Sequence, residues 1–196
     1  MRVFDEKQTR EQYLETQIQH SRKKFAFCKV SVACVKHWKK VITRCERNTP
    51  VKGPIRLIET VGMSCIEHIV PGSVVGVEIN PDGKRRDVLT ASFDELPPEW
   101  TGIFQIVYSN SLDHAQDPYR AAKEWYRVLA DGGYLILGSP GEKIAPSHVG
   151  VVGNIGLRDI MNLFPGELIY YNKFGNAFPD AIIRKIADIP SSCCIN

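Results

Sequence analysis

The sequence predicts an α/β fold: a mostly parallel sheet with helices on both faces and a C-terminal antiparallel hairpin, preceded by N-terminal helices. Three observations carry that expectation. From residue 55 onward, apolar runs of strand length alternate with helix-like segments. One of these runs, IFQIVYSN (103–110), is almost continuously apolar, as a strand covered on both faces must be. The last two runs, ELIYYNKF and DAIIRKI, are separated only by GNAFP, a connection short enough for a hairpin and too short for a crossover.

The elements follow in order. Residues 6–22 are polar and helix-prone. KKFAFCKVSVACVKHWKKVITR follows, with Phe27, Val30, Cys34, Trp38, Val41 and Cys45 at helical spacing and Lys29, Lys36 and Lys40 on the opposite face. NTPVKGP (48–54) reads as a linker, because proline and glycine end the helix and the residue before each proline leaves the α region. A division into an N-terminal helical extension, 1–50, and an α/β domain, 51–196, follows from that break. In the second part IRLIE is the first strand, SVVGVEI the second and RRDVLTASF a short third, succeeded by the turn DELPPEW and then by IFQIVYSN. DPYRAAKEWYRVLA reads as a helix with Asp117 as N-cap, Pro118 at the first helical position, and Gly132 and Gly133 as its end. GYLILGS is the fifth strand. A Gly-, Pro- and Ser-rich loop (139–156, with His148) leads to the helix GLRDIMNLF and the terminal hairpin.

Composition bounds the class. At 196 residues with 43% hydrophobic content, the chain can bury one substantial core. It has no apolar run near the roughly 20 residues that span a bilayer, and MRVFDEKQTREQ lacks the apolar stretch of a secretory signal, so a cytoplasmic location is expected. The six cysteines, Cys28, Cys34, Cys45, Cys65, Cys193 and Cys194, form no CxxC pair and read as free thiols, with no metal site. Of 25 Lys+Arg and 22 Asp+Glu, residues 1–50 hold 12 and 5, so the front carries +7 and the remainder −4. That basic front suits an anionic partner as well as a solvated helix face.

An open parallel sheet takes its ligand beyond the C-terminal strand ends, where the strand order reverses. The residues there are Glu59 to Ser64, Glu78 to Asn80, Ala91 to Phe93 and Ser109 to His114. A carboxylate closing a strand, such as Glu78, can accept hydrogen bonds from both hydroxyls of a ribose, a feature that nicotinamide-binding folds share.

The stretch from 104 to 137 contains Leu112-Asp113-His114, Asp117-Pro118, Arg127-Val128-Leu129 and Gly132-Gly133. Together with VVGVEINP and ASFDELP, it resembles small class I S-adenosylmethionine-dependent methyltransferases of the type 11-like group, across residues 55–188. The resemblance implies a Rossmann-like sheet and S-adenosylmethionine as cofactor. It assigns Glu78 to the ribose hydroxyls, Ser92 and Phe93 to the adenine, and Asn110 and Ser111 to the methionine part, with Ile79 also among the cofactor-binding residues. Ser92 stands where the family commonly has Asp; its hydroxyl can still bond an exocyclic amine, without charge assistance. His114 and Asp113 are the candidate acceptor-side groups, His114 also being able simply to organise the turn.

The family's first motif follows an acid with a loop of alternating glycines that lets the main chain approach the methionine carboxylate. With Glu59 as that acid, the alternating positions are Val61, Met63 and Cys65, so the glycine role falls to Gly62 with small Ser64 beside it. Three readings stay open at this level: an active methyltransferase, a methyltransferase-like binding or scaffolding module without cofactor, and another Rossmann-type enzyme such as a nicotinamide-dependent one. The last lacks GxGxxG after the first strand. A small-molecule or sugar-like acceptor is favoured over nucleic acid, because basic and aromatic residues do not interleave on the expected sheet face.

Overall fold

A computed structural model gives the fold and describes residues 2–3, 8–24, 40, 43–44, 57–59, 74–82, 88–109, 111–138, 152–153, 155–171 and 181–187. The turn TVGMSC with Gly62 and Ser64, together with Asn110, His148 and the linker 48–54, lies outside the described residues. Of the basic segment that follows Lys24, only Lys40, Thr43 and Arg44 are described, and all three are helical.

The strands in chain order are β1 (Arg2–Val3), β2 (Leu57–Glu59), β3 (Val74–Glu78), β4 (Val88–Thr90), β5 (Phe104–Ser109), β6 (Leu129–Leu137), β7 (Val152–Gly153), β8 (Glu167–Tyr171) and β9 (Ala181–Arg184). The α-helices are α1 (Arg10–Lys24), α2 (Pro118–Val128) and α3 (Leu157–Leu163). Seven strands form one sheet in the order β4-β3-β2-β5-β6-β9-β8, while β1 and β7 pair separately and antiparallel. The first five of the seven are parallel and β9 alone runs against its neighbours, which makes the expected C-terminal hairpin of β8 and β9.

Register explains the apolar runs. Val107, Leu135 and Ile183 lie side by side on one face, and Tyr108, Ile136 and Ile182 on the other. All six are buried, so both faces of the central strands are covered and neither can carry polar side chains. On the first face α2 contributes Ala121, Ala122, Trp125 and Val128. Trp125 meets Phe93 edge-on at 5.6 Å and stacks on Phe164, just past α3, at 6.1 Å. A fully buried aromatic of this kind contributes roughly 1.5–3 kcal/mol through area alone.

The start of α2 follows the sequence expectation. Asp117 Oδ1 accepts from the backbone N–H of Tyr119 and of Arg120, both at 3.0 Å, and Pro118 opens the helix. The end does not. The helix stops at Val128, and β6 begins at Leu129, four residues before the expected strand start at Gly133. The reason is a bulge: Phe104 pairs with Leu129 but Ile106 pairs with Tyr134, so residues 130–133 are accommodated opposite Gln105 alone. Gly132 supplies the positive φ, +75°, that the bulge requires. Gly133 supplies room. The last helical carbonyls are satisfied instead by Lys185, whose Nζ donates to Tyr126 O at 3.1 Å and to Leu129 O at 2.8 Å, and by Gly102 N–H, which donates to Arg127 O at 2.9 Å.

A Cβ on Gly133 would sit 2.8 Å from both Ala130 O and Gln105 O, two backbone atoms that cannot swing aside. Gly133→Ala is therefore expected to destabilise the protein by about 2–3 kcal/mol in chemical denaturation. Gly132→Ala meets nothing nearer than 4.0 Å and should cost only the left-handed backbone term, about 1–2 kcal/mol.

Candidate functional site

The chain passes from β4 across to β5 on the other side of β2, so the strand order reverses between β2 and β5. The loops after β3, β4 and β5 therefore open at one edge of the sheet, beside that reversal. Glu78 is the last residue of β3 and is buried. Its Oε1 accepts from the backbone N–H of Asn80 at 2.9 Å and from the hydroxyl of Ser21 at 2.8 Å. The Ala91 N–H donates to Glu78 O at 3.1 Å, which joins the loop after β4 to the same edge. Ile79 is half-buried directly beyond Glu78.

The segment 92–96 is fastened on two sides. From below, Trp125 Nε1 donates to Phe93 O at 3.0 Å, and the Leu96 N–H donates to Glu124 Oε2 at 3.0 Å. From above, Arg10 forks onto the buried Asp94, with Nη1 to Oδ2 at 2.8 Å and Nη2 to Oδ1 at 3.0 Å. Ser92 donates to Asp94 Oδ1 at 2.5 Å, which leaves its own oxygen its capacity as an acceptor. Burial pushes the Asp94 carboxyl up, but hydrogen bonds from Arg10 and Ser92 and the charges of Arg10 and Arg120 outweigh it and hold the group below its ordinary range. Phe93 turns its ring toward Trp125, on the flank of the core.

After β5 the chain makes a short 3-10 turn, Leu112–His114. Ser111 and Asp113 are buried there, and the Ser111 N–H donates to Ser109 Oγ at 3.1 Å. His114 is half-buried, with Nε2 at 3.7 Å from Asp113 Oδ2 and Nδ1 at 3.0 Å from Gln17 Oε1. Tyr13 donates its hydroxyl to the backbone carbonyl of His114. Burial raises the Tyr13 phenol well above its usual range and keeps it a donor.

The contacts that cross to this edge from α1 come from one face of that helix. Arg10, Tyr13, Gln17 and Ser21 follow one another at three- and four-residue spacing, so a single stripe of the helix crosses the ends of β3, β4 and β5. Arg22 extends the crossing with an ion pair to Asp82 at 2.8 Å. Among the described residues it is α1 that covers this edge.

Residues 59–137 match the family described as methyltransferase domain. The chain resembles class I methyltransferases. No curated protein matches it. Among solved structures, the [4+2]-cyclase SpnF is similar at 13% identity, with a TM-score of 0.57 over 88% of this chain and 77% of that one. The CMeT domain of the citrinin polyketide synthase is similar at 11% identity, with a TM-score of 0.55 over 79% of this chain and 52% of that one. A possible histamine N-methyltransferase from Thermotoga maritima aligns at 17% identity, with a TM-score of 0.46 over 89% and 92% of the two chains. At such identities the first two likenesses show the fold, and the family match implies S-adenosylmethionine, the cofactor of that family.

The sheet edge has groups that suit that cofactor. Glu78 is a buried carboxylate that already accepts a hydroxyl, the chemistry a ribose diol asks for. Glu59 ends β2, the strand beside β3, and its backbone is paired with Gly76 and Tyr108. Glu78, Ile79, Ser92, Ser111, Asp113 and His114 lie in the loops of one sheet edge; Gly62, Ser64 and Asn110 fall outside the described residues. Sequence reasoning missed Arg10, Tyr13, Gln17 and Ser21. Their stripe is polar and leaves no apolar period to read, and the only available signal was the three- and four-residue spacing of long polar side chains. No described helix is long and apolar enough to cross a membrane.

Because the Asp94 carboxyl is held below its usual range, its contribution is complete above about pH 4 and is lost as pH falls through the lowered folded value. Acid titration should therefore release α1 before the sheet unfolds, seen as faster amide exchange in residues 10–24. Asp94→Asn should reproduce that release at neutral pH at a cost of about 2–3 kcal/mol, since it leaves Arg10 only the exposed Glu95 as a charged partner.

Proposed function

We propose that the protein transfers a methyl group from S-adenosylmethionine to a small-molecule or sugar-like acceptor. The observation that carries this reading is the buried Glu78 at the β3 terminus, accepting a hydroxyl beside the strand-order reversal, within the segment matched to the methyltransferase domain. Glu78 takes the ribose hydroxyls, and Ile79, Ser92 and Phe93 border the adenine. Glu59, Gly62, Ser64, Asn110 and Ser111 serve the methionine part. The bound cofactor supplies an electrophilic methyl group, so the chain's own work is alignment and exclusion of water.

His114 and Asp113 serve the acceptor side. With Gln17 Oε1 accepting from Nδ1–H, the basic nitrogen of His114 is Nε2. Nε2 takes the acceptor's proton, and the Asp113 carboxylate 3.7 Å away stabilises the resulting imidazolium. The arginines of α1 at this edge are already ion-paired, to Asp94 and Asp82, which favours a small acceptor over a nucleic-acid backbone. Fold alone does not choose the reaction, as the likeness to a cyclase illustrates.

One observation favours a second reading, a binding module without cofactor. The loop TVGMSC lacks the family's alternating glycines. Calorimetry with S-adenosylhomocysteine separates the two readings. Binding that is lost in Glu78→Ala supports the enzyme, and no heat from the wild type at millimolar ligand overturns it.

His114→Ala should then lower kcat by about 10²–10⁴-fold while S-adenosylhomocysteine affinity stays unchanged. An equal loss of affinity would assign His114 to the cofactor pocket instead.

A further inference from the structure

The contact that supports Glu78 as a ribose acceptor also occupies it. We infer that Ser21 belongs to the ribose subsite: its hydroxyl holds the place of a ribose hydroxyl on Glu78, and cofactor binding and the docking of the second half of α1 are mutually exclusive at that oxygen. This rests on the proposed role of Glu78 and adds a residue, and a competition, to it.

The geometry makes the overlap specific. Ser21 Oγ donates to Glu78 Oε1 at 2.8 Å, the oxygen that also accepts the Asn80 N–H at 2.9 Å. A carboxylate oxygen has two good lone-pair directions, and both on Oε1 are in use. A ribose hydroxyl that seeks Oε1 must therefore displace Ser21, since the Asn80 N–H belongs to the backbone turn and cannot leave. A serine hydroxyl and a ribose hydroxyl have the same donor chemistry, so the exchange keeps Glu78 satisfied in both states. An unsatisfied buried carboxylate would be the costly alternative.

The rest of α1 divides to suit this. Its first half is held by the Arg10 fork on the buried Asp94 and by Tyr13 on His114, contacts that leave Glu78 untouched. Beyond Gln17, which stays on His114 Nδ1, its second half reaches the edge through His20, whose ring lies 6.1 Å from that of His114, through Ser21, and through Arg22, whose partner Asp82 is exposed. An exposed ion pair of that kind adds little holding power. Releasing Ser21 therefore lets the end of α1 lift while its start stays anchored over the loop after β4.

Three variants test the inference. Ser21→Ala removes the competitor and is expected to tighten S-adenosylhomocysteine binding in calorimetry by about tenfold. Ser21→Thr keeps the hydroxyl and should bind as the wild type does. Without any ligand, Ser21→Ala should speed amide exchange in residues 18–24 and leave residues 10–14 unchanged. Weaker binding in Ser21→Ala would overturn the competition and make Ser21 a cooperating ligand. Unchanged exchange would overturn the Ser21–Glu78 tether whatever the ligand does. Absence of binding in both the wild type and Ser21→Ala would overturn the cofactor reading on which the competition depends, while the exchange result still decides the tether.

Discussion

Everything at the ligand edge hangs on Asp94. It is a buried carboxylate that would be costly in isolation, and it is tolerated because Arg10 forks onto both its oxygens while Ser92 adds a third donor. The same residue joins three parts of the chain that are far apart in sequence: α1 through Arg10, the loop after β4 through Ser92, and α2 through Arg120, whose Nε donates to Asp94 O at 3.1 Å. Without it the loop would lose its upper fastening and α1 its anchor. The position of Ser92, and the angle at which α1 crosses Glu78 and His114, are consequences of that one ionic fork.

Apart from Tyr13, which joins the hydrophobic core with Leu14 packed beside it, the cover over the edge is polar against polar. A helix that docked through leucines would bury its stripe irreversibly, whereas Tyr13, Gln17 and Ser21 meet the edge through hydrogen bonds that water or a ligand can replace one at a time. The domain thus combines an apolar core around Trp125 with an upper boundary held largely by hydrogen bonds among buried polar groups. Such a division suits a site that must open to a polar cofactor and close around it.

Legibility in the sequence followed the same division. The strands were readable because burial on both faces leaves no alternative to continuous apolar runs, and the start of α2 because Asp117 and Pro118 act locally. The end of α2 was misread because Gly132 and Gly133 carry the same signal in a bulge as at a helix terminus; only the pairing with Gln105 and β9 distinguishes the two. The two-residue strands β1 and β7 have no periodicity to detect. The stripe on α1 was invisible to hydrophobic patterning because, Tyr13 apart, it is held by hydrogen bonds and ion pairs. Glu78 was found through the chemistry of a carboxylate at a strand end, but its partner Ser21, 57 positions earlier, carries no local sign of that contact.

The strand order also has a consequence for how the chain is made. β9 lies between β6 and β8, although β8 precedes it in the chain. During synthesis β8 leaves the ribosome before the strand that joins it to the sheet exists, and β6 meanwhile has an open edge with buried-type side chains along it. The parallel half can assemble early, but the sheet is finished only when residues 181–184 emerge and slide between their two neighbours.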